Sequence, residues 1–101
     1  MATKRLVLQR DANNLPTNLM PLGDSQDVDG TGASAQSTAI DGYAVRIKSL
    51  DNQLRFLIGN NPTALATSPA LEALDEIYQP IIPGQKVAIF GGKANICVVG
   101  V

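Results

Sequence analysis

The chain has no histidine and no tryptophan, a single cysteine, and only Tyr43, Phe56, Tyr78 and Phe90 as aromatics. Without histidine it lacks the commonest general base and the commonest metal ligand, and neither a Ser-His nor a Cys-His nucleophile pair can be assembled. One cysteine allows no internal disulfide and no thiolate cluster within one chain. Cys97 lies between Ile96 and Val98, so it is expected as a small buried strand residue rather than a reactive thiol. Four aromatics are too few for a platform on which single-stranded bases stack. Charge is also scarce: 8 Lys and Arg against 9 Asp and Glu leave a net charge of -1. That is no field for phosphate backbones or anionic lipid, so neither nucleic acid nor a membrane is an expected partner. No apolar run approaches the roughly 20 residues of a membrane span, and the N-terminus has no signal-type apolar stretch. A cytosol-like site of synthesis is therefore expected.

What is present fits one domain: 101 residues, 45% of them hydrophobic. Two parts differ in kind. Residues 1–42 read as an N-terminal strand followed by an extended polar arm, and residues 43–101 as the β domain. Residues 4–9 have strand alternation, with Leu6 and Leu8 on one face and Val7 on the other. Asn13, Asn14, Pro16, Asn18 and Pro21 then break the pattern. Residues 23–38 are almost all Asp, Ser, Gly, Thr, Ala and Gln, with Val28 the one larger apolar side chain, which is loop or arm composition.

From Tyr43 the pattern is that of strands. Tyr43, Val45 and Ile47 alternate with Arg46 and Lys48, and Leu54, Phe56 and Ile58 alternate with Gln53 and Arg55. Asp51 and Asn52 between them suit a hairpin turn. Arg46, Lys48 and Arg55 would then share one outward face, solvated or turned to an acidic neighbour. Gly59 to Pro62 closes this unit. Ser68 before Pro69 could cap a helix of one or two turns carrying Leu71 and Leu74 on one side. Residues 77–82 read as a strand, which Pro80 confines to an edge or a bulge. Pro83-Gly84 is a turn signal. Residues 86–90 and 94–99, separated by Gly91-Gly92, read as a C-terminal hairpin. Five or six short strands and at most one short helix predict an all-β fold, a small β-sandwich or jelly-roll-like barrel with an extended N-terminal arm.

No chemical motif survives inspection, and neither catalytic residues nor a cofactor are expected. The carboxylates Asp24, Asp27, Asp29, Asp41, Asp51, Glu72, Asp75 and Glu76 are dispersed beside turn-forming residues, and no pair stands out for acid–base work. A calcium loop over residues 24–30 would place Gly30 correctly after Ser25, Asp27 and Asp29. Its twelfth position, however, is Gln36 rather than a bidentate glutamate. Gly91-Gly92-Lys93 resembles the end of a phosphate loop, but Val87 stands where a glycine is required and Ala94 where a hydroxyl is. The chain is thus expected not to be an enzyme.

Three segments carry a resemblance: YAVRIKS at residues 43–49, FLIGNNPTA at 56–64 and YQPIIPGQKVAIFGG at 78–92, preceded by STAIDG at 37–42. Together they resemble a group of small structural proteins of tailed-bacteriophage virions, over about the last 60 residues, with a departure between residues 63 and 76. The resemblance implies a β-sandwich or jelly-roll virion component of the capsid decoration or cement type. Such a protein binds the major capsid protein and copies of itself in the virion after synthesis in the host cytoplasm. A head-tail or tail-fibre adaptor is the alternative within that group, and a carbohydrate-binding module the alternative outside it. About 60 residues of β structure bury only about 60% of their unfolded surface, so support from neighbouring chains is expected.

Overall fold

The computed structural model describes residues 21–100. The strand expected at residues 4–9, and the arm up to residue 20, lie outside them. Eight strands appear in chain order: β1 (Leu22–Asp29), β2 (Ala35–Gln36), β3 (Ala44–Ser49), β4 (Leu54–Gly59), β5 (Ala70–Leu71), β6 (Glu76–Pro80), β7 (Lys86–Phe90) and β8 (Lys93–Val99). They form two four-stranded antiparallel sheets, ordered β1-β8-β3-β6 and β2-β7-β4-β5. The all-β class is therefore as expected, and no helix occurs among the described residues.

The core lies between the sheets. Alternation sends Val45 and Ile47 of β3 and Ala94 and Ile96 of β8 inward from one sheet, and Leu54 and Phe56 of β4 and Val87 and Ile89 of β7 from the other. Val28, Ile40, Leu71 and Ile81 close its margins. Ser49 shares the inward face, fully buried, and its hydroxyl donates to the Asn52 carbonyl at 2.6 Å. A buried hydroxyl without such a partner would cost free energy.

Four sequence expectations are corrected. Residues 23–38 are not all loop: β1 pairs along β8 from Leu22↔Val99 to Asp29↔Lys93, and β2 pairs with β7. An edge strand needs few apolar residues, because backbone pairing to an apolar neighbour supplies the hydrogen bonds and Val28 alone is sunk into the core. A boundary at residue 43 therefore cuts through the two-sheet unit. Second, the two expected hairpins do not exist, since β3 and β4 lie in different sheets, as do β7 and β8. Strands facing each other across a core have the same alternation as strands paired side by side, so the pattern alone does not distinguish them. Third, Ser68-Pro69 starts no helix. Ser68 closes a turn with Leu65 through Leu65 N–H to Oγ at 3.0 Å and its own N–H to the Leu65 carbonyl at 2.9 Å. The chain then pairs as β5 with Leu54 and Arg55. Leu71 is buried there and Leu74 exposed, so the two share no face. Fourth, Arg46 and Lys48 project from one sheet and Arg55 from the other, so the three cations do not cluster.

Two expectations match. Strand β6 with Pro80 is an edge strand. Pro83-Gly84 makes a turn closed by Gln85 N–H to the Ile82 carbonyl at 2.9 Å, with Gly84 at φ 97°, where L side chains are strained.

Residues 60–69 form a strap across the outer face of the second sheet. The Gln36 amide donates to Pro62 O at 2.7 Å and Asn61 Oδ1 at 2.8 Å, Ala64 N–H donates to Ser34 Oγ at 2.9 Å, and Arg55 donates to Ser68 O at 3.1 Å. Ala88 points outward from β7 yet is fully buried beneath this strap. The Asn61-Pro62-Thr63-Ala64 step thus has a packing role.

Candidate functional site

Two surfaces at one end of the fold stand out. The first is apolar. Strands β1 and β3 begin at this end and β6 and β8 finish there, with Leu22 opposite Val99 and Ala44 opposite Pro80. Segments 40–43 and 81–85 are laced together by Ile81 N–H to Tyr43 O at 3.0 Å, Ile40 N–H to Gln85 O at 2.8 Å and Gly84 N–H to Ile40 O at 2.8 Å. This frame holds Tyr43 78% exposed and Ile82 65% exposed, with Leu22 also in solvent. The sequence pattern assigned Tyr43 to the inward face with Val45 and Ile47. Because Tyr43 precedes the first paired residue of β3, it escapes the alternation. Large apolar side chains grouped in solvent mark contact surfaces more often than isolated exposed leucines do.

The second surface is a groove of about 360 Å³ between edge strand β1 and the segment joining β2 to β3. Asp24, Ser25 and Gln26 form one wall, Thr38, Ala39, Ile40 and Asp41 the other, and Val98 part of the floor. The walls are tied where the Gln26 amide donates to Thr38 Oγ1 at 3.0 Å and Thr38 N–H donates back to Gln26 Oε1 at 2.9 Å. Between Leu22 and Ser25 the β1–β8 register slips by one residue. Such a bulge re-aims side chains, and here it accompanies the turn of Asp24 toward the groove. Sequence reading missed this groove because both walls lie in the stretch read as arm; Gln26 and Thr38, two polar residues twelve apart, carry no periodic signal.

Several other polar groups make hydrogen bonds that hold the fold together. Asp27 and Asp29, read as possible calcium ligands, lie on strand β1: Asp27 accepts from Asn95 Nδ2 at 2.9 Å and Asp29 from Thr31 N–H at 3.0 Å. Among the described residues no three His, Cys, Asp or Glu side chains converge to hold a metal ion. Asp51 Oδ1 accepts from Asn52 N–H at 2.6 Å and Lys93 N–H at 2.9 Å, pinning the two crossovers between sheets together. Those bonds, from Lys93 first and Asn52 second, hold the Asp51 carboxyl below its ordinary range. The Thr31 backbone and hydroxyl do the same for Asp29. On the outer face of the first sheet Arg46 Nη2 donates to Asn95 Oδ1 at 3.2 Å, with Glu76 4.0 Å from Nη1, while the buried Nε finds no partner among the described residues. Cys97 is buried, as expected, with its thiol 3.5 Å from the Gly23 carbonyl.

Compared with known protein families, curated proteins and solved structures, the chain matches none. No helix among the described residues is long and apolar enough to cross a membrane.

Proposed function

We propose that this protein is a structural component of a tailed-bacteriophage virion, a decoration or cement protein that binds the major capsid protein lattice and packs against copies of itself. The observation that carries the reading is the apolar end, where Tyr43 and Ile82 stand in solvent on a hydrogen-bonded backbone frame. The three sequence segments described above supply the virion context. The strand order supports a jelly roll: among the described residues, eight strands lie in two sheets, with every connection except β4 to β5 passing from one sheet to the other. A protein that binds only the assembled lattice stabilises it by mass action, without chemistry.

Burying one aromatic side chain removes about 150–250 Å² from water, worth several kcal/mol at about 25 cal/mol/Å² before the costs of association. The double variant Tyr43→Ser, Ile82→Ser therefore binds capsid lattices at least about tenfold more weakly, with its thermal unfolding midpoint little changed. Unaltered lattice binding by this variant contradicts the proposal.

A further inference from the structure

The groove beside β1 suits one occupant whose chemistry is written in the chain itself. Residues 1–20 carry Lys4, Arg5 and Arg10 against the single carboxylate Asp11, whereas the rest of the chain carries five basic side chains against eight acidic ones. Within residues 4–10 the cations flank Leu6, Val7 and Leu8. The groove mirrors that composition, with the carboxylates Asp24 and Asp41 and the apolar Ile40 in its walls and Val98 in its floor. We propose that this groove receives residues 4–10 of a neighbouring copy, with cations toward Asp24 and Asp41 and the aliphatic side chains toward the floor.

Three observations support it. Strand β1 is an edge of its sheet among the described residues, and an edge strand offers backbone groups to an added extended segment, the conformation that the alternation of residues 4–9 favours. The chain enters β1 at Pro21, whose carbonyl accepts from Gly100 N–H at 2.8 Å at the same end of the fold as the groove. Residues 11–20, between the segment and that entry point, span up to about 33 Å when extended, more than the 27 and 22 Å breadths of the fold though less than its 44 Å length. A chain holding both the basic segment and the acidic groove is complementary to its own copies in a head-to-tail sense. The donor is a neighbouring copy because the assembly reading requires contacts between copies, and the inference rests on that reading.

The test uses the full chain in two charge-reversed forms, one with Lys4→Glu, Arg5→Glu and Arg10→Glu, the other with Asp24→Lys and Asp41→Lys. Both substituted wall residues are exposed, and circular dichroism verifies that each form is folded. Sedimentation equilibrium is expected to show self-association of the wild type, weakening of at least about tenfold in each form alone (roughly 1.4 kcal/mol), and restoration when the two forms are mixed. Mixing restores it because the basic segment of the second form meets the intact groove of the first, and the acidic segment of the first meets the reversed groove of the second. Wild-type association that survives both reversals overturns the inference. So does a mixture no tighter than its parts, as when each segment closes on its own chain, and so does a wild type that stays monomeric at all concentrations. None of these outcomes bears on lattice binding, which the Tyr43 and Ile82 variant measures separately.

Discussion

Gly30→Ala is expected to be among the most destabilising single-methyl additions in the protein. A Cβ at Gly30 would lie 2.1 Å from the Ile89 carbonyl oxygen, 2.5 Å from its carbon and 3.0 Å from the Phe90 nitrogen. All three are backbone atoms of β7, so no side-chain rotation relieves the overlap. Gly30 cannot easily withdraw, because its N–H donates to Gly92 O and its carbonyl accepts from Gly91 N–H, both at 2.9 Å. Relief means losing one or both of these bonds, at about 0.5–1.5 kcal/mol each, or pushing β7 away from β4, with overpacking strain of about 1–3 kcal/mol. A loss of about 2–4 kcal/mol follows from those two terms. The control is Gly32→Ala, where a Cβ meets nothing within 4 Å but φ is +86°. It should cost only the left-handed penalty of about 1–2 kcal/mol. Urea unfolding followed by circular dichroism measures both, with equal m-values required for comparison. A Gly30→Ala cost at or below that of Gly32→Ala would refute the reasoning that a sheet-to-sheet crossover is locked at this contact.

Other perturbations follow from the same geometry. Ile47, fully buried at the centre of β3, should lose about 2–5 kcal/mol on substitution by Ala, depending on how far the two sheets relax toward the cavity, measurable in the same urea titration. Leu74 sits at φ 64° while 63% exposed. Leu74→Gly should therefore stabilise the fold by about 1 kcal/mol whereas Leu74→Ala, which keeps Cβ, should not; equal effects would remove strain as the cause. Asp51 and Asp29 have carboxyls held below the ordinary value of 3.8 by backbone N–H donors. Their contribution is full above that value and is lost as pH falls through it toward the lower folded-state values. Unfolding midpoints should accordingly drop below about pH 4, and Asp51→Asn with Asp29→Asn should flatten that drop.

The core was legible in the sequence wherever apolar side chains alternate. Val45 and Ile47, Leu54 and Phe56 all point inward, and the turn at Pro83-Gly84 and the edge position of β6 followed from local backbone chemistry. Partner choice was not legible. Whether residues 44–49 pair with residues 54–59 or face them across the core depends on the crossover at Asp51, a clamp closed by Lys93 far along the chain. Strand β1 was hidden because a polar edge strand draws its hydrogen bonds from β8 and exposes most of its side chains. The groove went unseen for the same reason. Tyr43 was misassigned because alternation holds only as far as pairing does, and pairing of β3 starts at Ala44.

The proposed role is contact, in many copies, with a capsid lattice. Quantitative mass spectrometry of purified virions gives the protein's copy number relative to the major capsid protein. Hundreds of copies per particle, in fixed ratio to the capsid protein, are expected; a dozen or fewer, or none, would contradict that role.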